Sequence, residues 1–263
     1  MTPAPLTASA LGNQLRALGV APGMTVLVHA SLSRLGWVIG GTQTVIATLL
    51  DVLGPDGTLM MPAHSADWSE PSRWQHPPVD PRWFEAVRAE MPAWDPERSP
   101  TRGMGALAEA FRHWPGVSRS HHPQTSFSAL GPNSAALLSG HAPGCALGDQ
   151  SPLGALYRLD GHVLLLGVGH GNNTSLHLAE TRAEWPGKTW HEEGAAICVD
   201  GSRRWLRFRE LKFDDDDFET LGQAWEAATD AVRIGAIGTA TCRLLPQRLL
   251  VDWATDWIAQ HRS

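Results

Sequence analysis

GVGHGNNTSLHLAE, residues 167–180, decides how this chain folds. It follows HVLLL at 162–166, a short continuous apolar run that reads as a buried strand. The glycines at 167, 169 and 171 break that pattern. Asn172, Asn173 and Thr174 bring N-cap chemistry, and SLHLAE begins a helix. The reading is strand, Gly-rich loop and helix start, an order expected to present free backbone N–H groups to whatever lies in front of it. It also sets Thr174, His177 and Glu180 three residues apart on one helix face. A hydroxyl, an imidazole and a carboxylate stacked at a helix start suit proton transfer.

The flanking sequence builds a sheet around that stretch. MTVLVH at 24–29 reads as a strand ending in His29, with Ser31 and Ser33 just beyond. Gly40 and Gly41 open a helix that runs to Leu53, and TLMMP at 58–62 is a second buried strand. Two strands joined by one helix make a βαβ unit, whose ligands collect at the carboxyl ends of the strands. His29 and the segment after Pro62 therefore share a rim. For His29 itself, a hydrogen-bonded core histidine and a ligand contact stand about even. Before this unit, Thr7 caps a helix carrying Leu11, Leu15 and Leu18, stopped by Gly19.

Residues 63–100 differ in character, being rich in Pro, Trp, Asp and Glu, with one short helix expected at 81–90. Trp68, Trp74, Trp83 and Trp94 argue against disorder, so the segment reads as an ordered flap over the rim. Its acids Asp67, Glu70 and Asp80 face solvent on the simplest reading. With the tryptophans they could instead wall a cleft for a polyamine. Beyond it come a helix started by Gly103-Met104-Gly105, a strand at 125–130 preceded by His121 and His122, and short helices at 133–139 and 151–159. After the 167–180 stretch, runs at 195–199 and 205–210 form a hairpin through Asp200-Gly201. The acidic run 214–217 begins a helix. A strand near 239–244 and a helix opened by Pro246, with Leu249, Leu250, Trp253 and Trp257 inward, complete the chain. No repeat or dividing linker is evident. The expectation is one α/β domain over 1–263 with an insertion at 63–100.

Composition narrows the chemistry. Of 263 residues 43% are hydrophobic and 18% charged, and no apolar run approaches the roughly 20 residues of a membrane helix. The first residues lack the basic and apolar regions of a secretory signal, and three scattered cysteines cannot form a full disulfide set. A reduced, cytoplasmic setting is expected, with no membrane partner. The net charge of −6 argues against nucleic acid and suits a cationic partner. Twelve tryptophans exceed what a core this size uses well and point to ligand walls. The twelve histidines lack HExxH and CxxC spacing, which argues against a catalytic metal. GVGHG lacks dinucleotide spacing, and neither a GxSxG elbow nor a Walker lysine loop occurs.

VHASLSRLGWVIGG at 28–41, GPDGTLMMPAHS at 54–65, SPTRGMGALAE at 99–109, RSHHP at 119–123 and LLLGVGHGNNTSLHLAE at 164–180 together resemble the aminoglycoside 3-N-acetyltransferase family. The likeness runs in order from about residue 10 to 245. It implies a mixed central sheet flanked by helices, acetyl-coenzyme A as co-substrate with no metal, and acetylation of the 3-amine of the deoxystreptamine ring, which inactivates the antibiotic. It implies His177 as the active-site histidine and Thr174 at the position that steadies the oxyanion. Glu210 is the best match for an assisting carboxylate, Asp215 the fallback, and Glu180 is left structural. The segment His29, Ser31, Leu32, Ser33, Arg34 and Leu35, the turn Gly103, Met104 and Gly105, and His122 fit coenzyme A positions. Asp67, Trp68, Glu70 and Asp215 fall in drug-binding segments. The alternatives are acetyl transfer to another amine-bearing natural product, a non-catalytic binder of cationic small molecules and, third, a metal-dependent hydrolase.

Overall fold

The computed structural model describes residues 4–263. The chain opens with α1 (Ala8–Leu18), where the Ala10 N–H donates to the Thr7 hydroxyl at 3.1 Å and Gly19 closes the helix at φ 108°. A cap of this kind is worth about 1 kcal/mol. The βαβ unit follows as β1 (Thr25–Ala30), α2 (Gly41–Leu53) and β2 (Thr58–Pro62). Next come α3 (Phe84–Glu90), α4 (Gly105–Arg112), β3 (Ser118–Arg119), β4 (Phe127–Leu130), α5 (Ser134–Leu138) and α6 (Pro152–Arg158). Then β5 (His162–Leu166) leads to α7 (Ser175–Arg182), the hairpin β6 (Trp190–Val199) and β7 (Ser202–Leu211), and α8 (Phe218–Ala228). The end is β8 (Arg233–Ile237), β9 (Ala240–Pro246) and α9 (Gln247–His261).

Seven strands form one mixed sheet in the order β3-β4-β2-β1-β5-β9-β8. β2, β1 and β5 are parallel, in register from Val26 opposite Leu59 on one side and opposite His162 on the other. β4 and β9 flank them antiparallel. Strand alternation sorts the apolar side chains into two cores. Val26, Val28, Leu59, Met61, Leu164 and Leu166 pack under α1, α2 and α4. Leu27, Met60, Val163 and Leu165 pack under α5 to α9. Each buried Leu or Val contributes roughly 1.5–3 kcal/mol by leaving water. The carboxyl ends of β2, β1 and β5, with the amino end of antiparallel β9, make one rim.

Residues 63–100 form an insertion between β2 and α4. It docks on the hairpin: the Trp94 N–H donates to Ala196 O at 2.7 Å, Arg203 Nε donates to Met91 O at 2.6 Å, and Arg73 pairs with Glu193 at 2.8 Å. The hairpin turns at Asp200 and Gly201 with φ of 50° and 74°, as the Asp-Gly signal predicts. Two local expectations need correction. The edge strand β8, RIGAI, went unpredicted, because its outward positions and Gly235 blur the apolar run. Leu249 is exposed, and Leu250, Val251, Ala254 and Ile258 form the inner face of α9. Among the described residues, no helix is long and apolar enough to cross a membrane.

Candidate active site

A cavity of about 1410 Å³ lies at the rim. Its wall comprises His29 to Arg34 after β1, Pro62 and His64 after β2, the 103–105 turn, the loop after β5 with Thr174 and His177, and the start of β9. The glycine that turns the chain out of β5 is required there. Gly167 has φ 75°, and a Cβ would lie 3.1 Å from Arg34 Cβ and 3.2 Å from Ala240 Cβ. The loop that follows is held from behind by α8. Glu219 accepts the Gly171 N–H at 3.0 Å, and His170 Nε2 meets Glu226 at 2.8 Å, with Arg243 closing on the same carboxylate.

The start of α7 departs from the sequence expectation. Its backbone donors are satisfied within the chain: Ser175 N–H by the Asn173 side chain, Leu176 N–H by Asn173 O, and His177 N–H by Thr174 O. Asn173, not Thr174, is the residue whose side chain caps. Thr174 instead reaches across the rim, its hydroxyl 3.2 Å from His29 Nε2. His29 is buried, and burial followed by the positive field of a charged His177 lowers its pKa to about 3. It is therefore a neutral hydrogen-bond partner to Thr174, which joins both readings left open for it.

His177 Nδ1 lies 2.7 Å from Glu180 Oε2, one turn along the same helix. Glu180 is fully buried, and its Oε1 accepts from the Asp214 N–H at 2.8 Å and from Arg262 at 2.7 Å. A carboxylate paired with a guanidinium accepts only, so Nδ1 is the donor of this bond, and in the neutral ring Nε2 is the nitrogen with the lone pair. The rings of Phe213 and Phe218 pack on the imidazole at 4.9 and 4.7 Å between centroids.

The expectation that Glu210 orients His177 is corrected here. Glu210 sits on β7 opposite His191, and its carboxylate accepts the Ala146 and Leu211 N–H groups at 3.1 Å each. Burial raises its pKa, partly offset by those two donors. The i,i+3 spacing of His177 and Glu180 was the sequence signal for the true partner. Asp215 does line the cavity, the one carboxylate among its lining residues.

The remaining candidates divide. Ser31, Leu32, Ser33 and Arg34 line the cavity, while Leu35 is buried in the core under α1 and α2. Gly103, Met104 and Gly105 line it too. His122 does not. It is buried against His141, rings stacked at 4.7 Å, and its Nδ1 accepts the Gln124 and Thr125 N–H groups. Asp67, Trp68 and Glu70 are absent from the wall as well. Asp67 pairs with Arg102 at 2.7 Å, Trp68 Nε1 donates to Pro92 O at 3.0 Å, and Glu70 pairs with Arg88. Their polar atoms hold the insertion together. Among the wall residues that escaped the sequence reading are His64, whose buried Nε2 has no hydrogen-bond partner, and Trp37, 73% exposed. Both lie in segments assigned to the rim, but a lone His or Trp in such a segment carries no periodic signal.

The sequence profile of the family described as aminoglycoside 3-N-acetyltransferase matches residues 27–259. Aminoglycoside N(3)-acetyltransferase VIII of Streptomyces fradiae is 44% identical over 267 residues, covering 97% of this chain and 92% of its own. The crystal structure of YokD from Bacillus subtilis superposes with a TM-score of 0.96 at 42% identity, covering 99% of this chain and 96% of that one. The structure titled AAC-IIIb binary with CoASH gives a TM-score of 0.87 at 31% identity, covering 98% and 97%.

Proposed function

The chain belongs to the aminoglycoside 3-N-acetyltransferase family, and from that premise we propose how its cavity works: His177 is the base that lets the 3-amine of an aminoglycoside take the acetyl group of acetyl-coenzyme A, and Glu180 orients it. The single observation that carries this reading is the 2.7 Å contact between His177 Nδ1 and Glu180 Oε2. An amine is mostly protonated at neutral pH and cannot attack a thioester. That first proton is lost to water, His177 Nε2 takes the amine's second proton as nitrogen bonds to the acyl carbon, and the Glu180 carboxylate stabilises the imidazolium that results. The Thr174 hydroxyl, steadied by neutral His29, is the donor placed for the acyl oxygen as it gains charge. The imidazolium then returns its proton to the departing sulfur.

The wall suits a long, thin co-substrate. Gly41, Gly103 and Gly105 line the cavity, and a Cβ on any of them would meet open space, so the backbone there is open to a ligand. Ser31, Ser33 and Arg34 supply hydroxyls and a cation beside it. Acetyl-coenzyme A brings the activated acyl group, and the chain supplies position and proton transfer. We assign the acceptor to the side with Asp215, whose carboxylate pairs with an ammonium group of the drug. Residues 1–263 are taken as one catalytic domain, with 63–100 as an insertion that braces the hairpin. The free thiols Cys145, Cys198 and Cys242 fit a reducing cytoplasm.

One observation favours a second reading. A wall with a single carboxylate also suits transfer to an amine with fewer charges than an aminoglycoside. Thiol release from acetyl-coenzyme A across a panel of aminoglycosides and simpler amines decides the matter, with NMR to locate the acetyl group. Release with acetylation at the 3-amine supports the proposal. Release only with simpler amines supports the second reading. A thermal shift without release would reduce the protein to a binder.

A further inference from the structure

We propose that Arg262, which follows α9, is a positioning residue for the active site: one guanidinium holds the carboxylate that orients His177 and also the segment that packs aromatic rings on it. This rests on the assignment of His177 and Glu180 made above. Arg262 NH1 donates to Glu180 Oε1 at 2.7 Å. Its Nε and NH2 fork onto Asp217 at 2.8 and 2.6 Å, and NH2 also reaches Asp214 O at 2.7 Å. The ring faces of Trp185 and Phe218 cover the guanidinium at 5.3 and 5.8 Å. The side chain is 10% exposed, and its pKa is raised by Asp217 and Glu180 in excess of the lowering by burial.

The consequence follows from what each donor fixes. Glu180 has two oxygens and one rotatable carboxylate plane. With Oε1 held by Arg262 and the Asp214 N–H, Oε2 is aimed at His177 Nδ1. Removing Arg262 leaves a fully buried carboxylate without its guanidinium partner and free to turn. The same loss frees the segment between Asp214 and Asp217, which lies between the two rings that clamp the imidazole, Phe213 and Phe218. Arg262 does not itself line the cavity and reaches its wall only from behind, through Phe218. Its effect should therefore fall mainly on turnover, with acetyl-coenzyme A binding intact and aminoglycoside binding touched only through Asp215 in the freed segment. Only the fork geometry of arginine serves both acids at once, so lysine is a poor replacement.

The experiment compares Arg262→Ala, Arg262→Lys, Asp217→Asn and His177→Ala by thiol release with acetyl-coenzyme A and an aminoglycoside, each with its melting temperature. Arg262→Ala is expected to lower kcat about 100-fold, with the acetyl-coenzyme A KM within about threefold and the aminoglycoside KM raised no more than Asp215→Asn raises it, as a misplaced base does. Added guanidinium ion, at a concentration too low to denature, should restore part of that kcat by entering the slot between Trp185 and Phe218. Arg262→Lys should also lose most of kcat. Asp217→Asn, which spares the Glu180 contact, should lower the melting temperature more than kcat. If Arg262→Ala does not fold, Arg262→Lys and Asp217→Asn decide on the same criteria. Unchanged kcat in a folded Arg262 variant overturns the proposal. So does a loss that guanidinium does not restore and that Asp217→Asn matches. If His177→Ala itself keeps turnover, it is the underlying reading of the site that fails.

Discussion

His177 and Glu180 form a hydrogen-bonded pair within one helix, Nδ1 to Oε2 at 2.7 Å and three residues apart, with His177 on the wall of the cavity and Glu180 fully buried. One helix turn brings the base and its orienting carboxylate together, and the tertiary contacts of Glu180 fix which oxygen faces Nδ1. The consequence separates two carboxylates that the sequence leaves in competition. Glu180→Gln should lower kcat about 100- to 1000-fold, since an amide can steer Nδ1 into the wrong tautomer. Glu210→Gln should leave kcat within about threefold and show its effect in the melting temperature, because its partners are the Ala146 and Leu211 N–H groups. Steady-state thiol release on both variants is the check. Equal losses of kcat would return Glu210 to the site.

The Thr174 hydroxyl is hydrogen-bonded to His29 and caps no N–H of its own helix. Thr174→Val keeps the shape and removes the hydroxyl. It should lower kcat about 10- to 100-fold with little change in KM, as the loss of an oxyanion donor does. Thr174→Ser should recover most of the rate. A valine variant at full kcat would mean that the hydroxyl serves packing only.

Buried imidazoles give the fold a pH dependence of its own. Burial is the first cause in every case. It lowers His29 and His64 to about 3 and His141 to about 4, and it sets His122 well below its ordinary value of 6.5. The folded chain keeps these rings neutral, whereas the unfolded chain protonates them. Stability is therefore full above about pH 6.5 and falls as the pH drops from there toward 3 to 4. With four such rings the slope near pH 5 approaches about 5 kcal/mol per pH unit. Urea unfolding in steps from pH 7.5 to 5 measures it. A flat stability profile down to pH 5 would show that these rings are charged in the fold.

The acids of the 63–100 insertion pair with nearby arginines, Asp67 with Arg102 just beyond it and Glu70 with Arg88 within it. Asp67→Asn and Glu70→Gln should leave the aminoglycoside KM within about twofold, and the Glu70 change should lower the melting temperature. Asp215→Asn should raise that KM about threefold to tenfold, as the loss of one charged contact does. A large KM change in the insertion variants alone would place the acceptor against residues 63–100 instead.

Much of this site was legible because its chemistry is local. The strand at 162–166, the glycine turn and the His177–Glu180 spacing all lie within twenty residues, and each has its own short-range signal. The rim follows from the same reading, since parallel strands send their carboxyl ends to one side. What stayed hidden depends on distance in sequence. Arg262 meets Glu180 from 82 positions away, and no pattern around an arginine near a helix end announces that. The Thr174–His29 bond spans 145 positions. The insertion misled in another way. Acids beside tryptophans read as an acidic cleft for a cation, but arginines from the same region, Arg88 and Arg102, neutralise them. The edge strand β8 failed to register because an edge faces solvent on most of its length and carries charge and glycine.

The central claim is that His177 is the base for acetyl transfer, and His177→Gln tests it most directly. Gln keeps a polar side chain of similar reach and cannot accept a proton at neutral pH. Thiol release should fall about 1000-fold or more. The melting temperature and the binding of acetyl-coenzyme A should remain close to those of the unaltered protein. Turnover within tenfold of the unaltered protein, with the acetyl group still found on the 3-amine, would contradict the account.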